Sequence, residues 1–200
     1  MIEVERKFSL TEEQKAKLLD GAVFKGEKVI TDCYYDSADF SLTTKDQWLR
    51  LRNDEFELKV PVGDNVSRGT DYYNELVTES EIRNFLKLPE SGSLESDFKN
   101  AGYEPFCICK TTRQKFTKDG FMIDIDSVNY PEGTGYALAE IELMVEENRV
   151  DEANKLILDF AKKFGLNLNP VRGKVIEYLR LYKPKHYTAL DEAGVLRQRE

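Results

Sequence analysis

The sequence predicts an α+β fold: one large antiparallel sheet that closes on itself as a β-barrel, with helices packed outside. Three observations predict it. Period-two alternation of charged and apolar residues recurs in short runs from the first residues to about Val145, which marks antiparallel strands with two unlike faces. Runs with helical spacing interrupt and follow those strands. With 200 residues the chain is long enough for one good core and short for two. Residues 1–187 are therefore expected as a single domain, and 188–200 as a peripheral tail.

Taken in order, "IEVERKF" reads as a strand by its alternation. "SLTEEQKAKLLDG" reads as a helix, with Ser9 or Thr11 as N-cap, acids in the first turn and Gly21 past the end. "KVITDCYYD" is rich in β-branched and aromatic residues, and "QWLRLRN", "FELKVPV" and "YYNELV" follow as short strands between polar turns. "TESEIRNFLKL" and "SLESDFKNAG" read as modest helices. "FCICKTTRQKFT", "GFMIDIDSV" and "YALAEIELMV" return to strands, joined by turns at "KDG" and "YPEGTG". "VDEANKLILDFAKKFGL" is the strongest helix, with Asp151 placed to help cap it and Gly165 to end it. "GKVIEYLRLY" is also helical. From Lys183 on, the chain is polar and is expected to be peripheral.

Composition excludes several classes. A net charge of −8 suits no general nucleic-acid binder, because neutralising phosphates takes a basic surface. No apolar run nears the roughly 20 residues that span a bilayer. The strand-like, charged start argues against a leader. Cys33, Cys107 and Cys109 form no disulfide framework, so a cytoplasmic protein is expected. Cys107 and Cys109 share a strand face, and two thiols without a second pair read as small apolar residues rather than a zinc site. A lone histidine, His186, leaves no material for a histidine-based zinc site or a His-dependent triad.

Parity locates the chemistry. Glu3, Glu5 and Lys7 share one strand face, opposite Ile2, Val4 and Phe8. Trp48, Arg50 and Arg52 share another. Glu57 goes with Lys59, Tyr73 with Glu75, and Thr111 with Arg113 and Lys115. Asp124 goes with Asp126, and Glu140 with Glu142. A wet sheet face explains any one of these alternations. It explains the set poorly, because the charges come as doublets of one sign, and like charges on one face repel unless opposite charge sits between them. If the sheet closes, these faces line a polar lumen. Arg50, Arg52, Lys59, Arg113 and Lys7 would hold a polyanion there, arginine's fork matching phosphate oxygens. The acidic doublets would repel it unless divalent cations bridged them, and hard carboxylate oxygens select Mg²⁺ or Mn²⁺. Basic side chains with acid-bound Mg²⁺ make a phosphoryl-transfer site. No Gly-rich phosphate loop is present, so side chains on strands would form it.

The Glu-x-Glu-x-Lys signature at Glu3, Glu5 and Lys7, followed in order by "WLRLR", "ELK", "TTR", "DIDS" and "EIELMV", resembles the CYTH, or triphosphate tunnel metalloenzyme, superfamily as far as about Tyr187. Within it, "IEVERKF", "YYDS" and "IDIDS" read like the animal thiamine-triphosphatase branch. The resemblance implies a barrel tunnel in which Lys7, Arg50, Arg52, Lys59, Arg113 and Lys174 bind triphosphate. It implies that Glu3, Glu5, Asp124, Asp126, Glu140 and Glu142 hold Mg²⁺, joined by Glu75. It further implies a dyad of Tyr34 and Lys59, in which the ammonium favours a tyrosinate that accepts a proton from water; Tyr35 is the adjacent alternative. Trp48, on the face of Arg50 and Arg52, would stack on a thiazolium or pyrimidine, a contact worth about 1–2 kcal/mol. The expected activity is Mg²⁺-dependent hydrolysis of thiamine triphosphate by a monomer. The alternatives are an inorganic tripolyphosphatase on the same site, a nucleotide-directed relative, a non-catalytic polyphosphate-binding module and a plain β-scaffold.

Overall fold

The computed structural model describes residues 2–61, 73–133 and 135–196. Of the expected strands, Val62 and Tyr72 lie outside the described residues, as does Thr134 of the "YPEGTG" turn.

Among the described residues, eight strands and six α-helices follow one another: β1 (Ile2–Phe8), α1 (Glu12–Leu19), β2 (Val23–Asp36), β3 (Trp48–Arg52), β4 (Glu55–Pro61), β5 (Tyr73–Leu76), α2 (Glu79–Leu86), α3 (Leu94–Asn100), β6 (Glu104–Lys118), β7 (Phe121–Asn129), β8 (Gly135–Val145), α4 (Val150–Lys163), α5 (Lys174–Tyr182) and α6 (Pro184–Glu192). The strands form a single sheet in the order β1-β8-β7-β6-β2-β3-β4-β5, antiparallel at every pairing. Its edge strands β1 and β5 come into contact, so the sheet curls into a nearly closed barrel with the helices outside, an α+β fold as expected.

The register sets the charged positions side by side across the wall. Glu5 pairs with Glu142, Lys7 with Glu140, Asp124 with Glu140 and Arg113 with Asp126. Tyr34 pairs with Arg50, Asp32 with Arg52, and Lys59 with Glu75. Because side chains alternate along each strand and keep their face across a ladder, these residues all point one way, into the barrel.

Three apolar clusters brace this wall. Val4, Phe8, Ile123 and Ile141 face outward from β1, β7 and β8 and pack under α4 through Ala153, Ile157 and Phe160. Leu49, Leu58 and Val60 pack under α2 and α3 through Ile82, Leu94 and Phe98. The third cluster departs from the expectation that apolar residues face only outward. Tyr34, Trp48, Cys107, Cys109, Val128 and Leu138 carry the inward parity, yet they form an apolar cluster with Val175, Ile176 and Leu179 of α5 and Leu190 of α6. The lumen is therefore charged over most of its length and apolar where α5 and α6 pack. Cys107 and Cys109 are buried free thiols in that apolar stretch, as expected of small apolar strand residues.

Some boundaries are corrected. The segment expected to be a peripheral tail instead forms α6, with Pro184 in its first turn. His186 and Leu190 are buried, and so are Val195 and Leu196 beyond the helix; residues 197–200 lie outside the described residues. Strand β2 starts at Val23, earlier than the alternation shows, because a bulge at Gly26 (φ 135°) breaks its period. Thr11, not Ser9, caps α1, in a capping box with Gln14. Arg149, without a side-chain cap, precedes α4, and Asp151 sits in the first turn instead.

Candidate active site

The charged faces enclose a cavity of about 230 Å³. Of the residues expected in a site, Glu3, Glu5, Lys7, Tyr34, Trp48, Arg50, Arg52, Lys59, Glu75, Arg113, Asp126, Glu140, Glu142 and Lys174 all line it. Asp124 does not line it; fully buried, it lies against Arg113 Nη1 at 2.7 Å and Lys115 Nζ at 3.2 Å.

One side of the cavity is acidic. Carboxylate oxygens of Glu3, Glu5 and Glu142 lie within 4.8 Å of one another, and so do those of Asp124, Glu140 and Glu142, with Glu142 common to both groups. Octahedral Mg²⁺ with ligands at about 2.1 Å places its oxygens about 3–4 Å apart, so both groups match a small divalent cation in donor type and spacing. Two further observations fit a cation held by these carboxylates. Asp124 Oδ1 is buried with no hydrogen-bond partner among the described residues. Burial, with Glu3, Asp124 and Glu140 adding to it, pushes the Glu142 carboxyl up to about 8. Burial and the neighbouring Glu5 raise Glu3 and Glu140 likewise. Glu5 goes the other way: burial would raise it, but Lys7 and Lys59 outweigh burial and hold it well below the carboxylate range. Of the expected metal ligands, Asp126 and Glu75 join neither group. Asp126 receives Arg113 Nε at 2.7 Å and Nη2 at 2.6 Å. Glu75 pairs with Lys59 at 2.7 Å.

The other side is basic, and its cations are aimed by carboxylates. Asp32, fully buried, accepts Arg52 Nε at 2.7 Å and the ammonium of Lys174. Those charges outweigh burial and keep Asp32 strongly acidic. Arg50 donates to Glu57 at 2.7 Å. Lys28 completes this wall: burial, then Lys115, Arg113 and Arg52, depress its ammonium pKa, the mark of crowded positive charge. Asp32, Lys28 and Asp46 were not anticipated as site residues. For Lys28 and Asp32 the signal was present, because both share the parity of Tyr34 on β2.

Tyr34 and Lys59, the expected dyad, both line the cavity. Tyr34 and Lys59 stand on β2 and β4 with β3 between them. The charged groups acting on Tyr34 are Asp32, Lys174 and Arg50, and Lys59 engages Glu75. Tyr34 is nearly fully buried, and burial together with Asp32 raises its pKa despite both cations. Desolvation thus opposes the tyrosinate that a neighbouring ammonium favours. Tyr35 faces the outer cluster with Leu49 and Leu58.

Trp48 has its ring against the cavity and the apolar cluster, and its indole N–H donates to Asp46 Oδ1 at 2.8 Å. The Tyr73 hydroxyl reaches the same carboxylate at 3.0 and 3.1 Å.

A nearly closed antiparallel barrel whose lumen sets acid groups opposite arginines and lysines defines a protein class. The CYTH domain model matches residues 1–169, and the chain belongs to the CYTH family. It is 30% identical over 220 aligned residues to the thiamine-triphosphatase of Homo sapiens, across 100% of this chain and 93% of the human protein. It is 30% identical over 216 residues to that of Macaca fascicularis. Among solved structures, the PH1819 protein from Pyrococcus horikoshii OT3 shares the fold, with a TM-score of 0.61 at 23% identity, covering 92% of this chain and 99% of that one. The family match ends before Lys174, so α5 and α6 lie beyond it.

Proposed function

We propose that this chain hydrolyses the terminal phosphate of thiamine triphosphate, releasing thiamine diphosphate and phosphate, with Mg²⁺ as the working cation. The hydrolase class rests on full-length kinship with thiamine-triphosphatases. The observation that carries the reading is one cavity lined by Glu3, Glu5, Glu140 and Glu142, with Asp124 buried behind them, and by a wall of arginines and lysines. A site for anions alone would gain by losing the acids, which argues against a binding module.

Glu3, Glu5 and Glu142, and Asp124, Glu140 and Glu142, would hold the cation. When bound it neutralises phosphate charge and acidifies water. Arg50, Arg52, Arg113, Lys7, Lys59 and Lys174 bind and align the phosphates, pre-aimed by Asp32, Glu57 and Glu75, so little reorganisation is left for the reaction. Tyr34, held neutral, donates its phenolic proton to a phosphate oxygen rather than taking one from water. Trp48 receives the cationic thiazolium by ring stacking. Three free thiols fit a cytoplasmic setting. Among the described residues no helix is long and apolar enough to cross a membrane.

The second reading is inorganic tripolyphosphate on the same site, favoured because the arginines and lysines that line the cavity suit phosphates with or without an organic group. Trp48 separates the two. With Mg²⁺ present, kcat/KM for thiamine triphosphate should exceed that for tripolyphosphate, and Trp48→Ala should lower the first by about tenfold, the worth of a desolvated cation–π contact. Equal loss on both substrates, or a wild-type preference for tripolyphosphate, would make thiamine triphosphate the wrong substrate.

A further inference from the structure

Behind the cavity wall, the Asp46 carboxylate ties two aromatic rings together. It accepts the Trp48 indole N–H on Oδ1 at 2.8 Å and the Tyr73 hydroxyl at 3.0 and 3.1 Å. Trp48 and Tyr73 both line the cavity, whereas Asp46 does not and is 9% exposed. An indole offers one donor and no acceptor, so a single buried acceptor fixes its tilt. A carboxylate receiving both rings fixes them relative to each other, with charge-assisted bonds stronger than neutral ones.

The backbone around Asp46 is held just as firmly. Asp46 stands at φ 58°, a left-handed conformation that aspartate tolerates better than most residues, and its N–H donates to Thr43 O at 3.0 Å. Thr43 is tied in turn to Asp36, its N–H at 2.9 Å and its hydroxyl at 2.6 Å. Asp36 also takes the Leu42 N–H at 3.0 Å. These bonds are not made to the arginines and lysines placed on the phosphates; one of those lysines, Lys59, meets the wall through its ammonium, 5.7 Å from the centre of the Tyr73 ring. The whole arrangement orients the two rings.

Building on the thiamine triphosphate reading, we propose that Asp46 is a positioning residue for substrate choice. It locks Trp48 and Tyr73 as one aromatic wall for the organic, cationic end of the substrate, and its negative charge behind the rings favours a cation in front of them. Its loss should therefore weaken selection of an organic triphosphate over the inorganic one more than it weakens turnover.

The test compares wild type, Asp46→Asn and Tyr73→Phe on thiamine triphosphate and tripolyphosphate with Mg²⁺. Asn keeps the size and one acceptor but loses the charge. The ratio of kcat/KM values should fall about tenfold in Asp46→Asn, mostly through KM for thiamine triphosphate, as expected for losing a charge-assisted bond. Trp48 is the only tryptophan, so intrinsic fluorescence reads its ring alone. In Asp46→Asn its emission should shift and its access to acrylamide should rise. If Asp46→Asn melts below the assay temperature, Tyr73→Phe, which leaves the carboxylate and Trp48 in place, should still lower the ratio about threefold through one lost hydrogen bond. A wild-type preference that survives unchanged in the folded variants overturns the role of Asp46 and leaves the substrate assignment standing. A wild type that prefers tripolyphosphate overturns both.

Discussion

Arg113 holds three acids at once. Its guanidinium reaches Asp124 at 2.7 Å, Asp126 at 2.6 Å and also Glu140, and their charge raises its own pKa further against burial. Removing one partner from such a buried network leaves uncompensated charge, so Arg113→Ala should destabilise the metal-free protein by about 3–5 kcal/mol. Arg113→Lys should recover little of it, because one ammonium cannot replace a planar fork with several donors. Denaturant unfolding checks both; equal stability of Arg113→Lys and wild type would contradict the bridging role. At this scale the sequence was informative wherever charges alternated with apolar residues. Glu3, Arg50, Asp124 and Glu142 were legible by parity alone. Asp32 shared the parity of Tyr34, but a single aspartate in "KVITDCYYD" reads as punctuation until Arg52 and Lys174 are seen to converge on it. Tyr34 was expected from the family resemblance alone, and the burial that raises its pKa was not legible. Only the packed cluster around it reveals that burial.

Helix α6 is the element the sequence concealed. Its buried positions include a histidine, which counts as polar in any hydrophobic pattern. In place, His186 stacks on Phe40 with centroids 4.0 Å apart, meets Phe106 edge-on and hydrogen-bonds Thr43 at 2.7 Å. It thereby joins α6 to the loop that carries Asp46. Burial, with Lys183 adding to it and Asp36 opposing, lowers the pKa of His186 to about 4. The sign follows: below an unfolded value near 6.5 the unfolded chain takes up the proton and the folded one does not, so the stability His186 contributes is complete above about 6.5 and is lost as pH falls toward about 4. The difference in melting temperature between wild type and His186→Gln should therefore shrink over that window. A constant difference would mean His186 is not buried neutral. Leu190, fully buried against α5 and the apolar end of the lumen, should cost about 2–5 kcal/mol as alanine, measured by denaturant unfolding. A peripheral segment would lose almost nothing.

On the scale of the whole molecule, alternation established a sheet with one charged face and no more. Its closure was implied by family resemblance and follows physically from the contact of β1 with β5. The β1–β8 ladder sets Glu3 and Glu5 of the first strand against Glu142 of the last, and closure brings Lys59 and Glu75, from the other edge of the sheet, to bear on Glu3. Metal-free, those acids repel. Because the folded pKa of Glu142 is raised to about 8, its protonated form favours folding at low pH, and that contribution is lost as pH rises through about 8. A bound cation replaces the proton. Mg²⁺ should therefore raise the melting temperature more at pH 8 than at pH 6, and Glu142→Gln, which removes the shared ligand, should abolish most of that gain. A gain independent of pH would place the cation elsewhere.

The most direct test is phosphorus NMR of thiamine triphosphate incubated with the protein, once with Mg²⁺ and once with a chelator. With Mg²⁺ the triphosphate resonances should give way to thiamine diphosphate and inorganic phosphate in equal amounts, and with chelator they should persist. An unchanged spectrum in the presence of Mg²⁺, or cleavage that proceeds equally without it, would contradict hydrolysis at a cation held by the Glu3, Glu5 and Glu142 cluster.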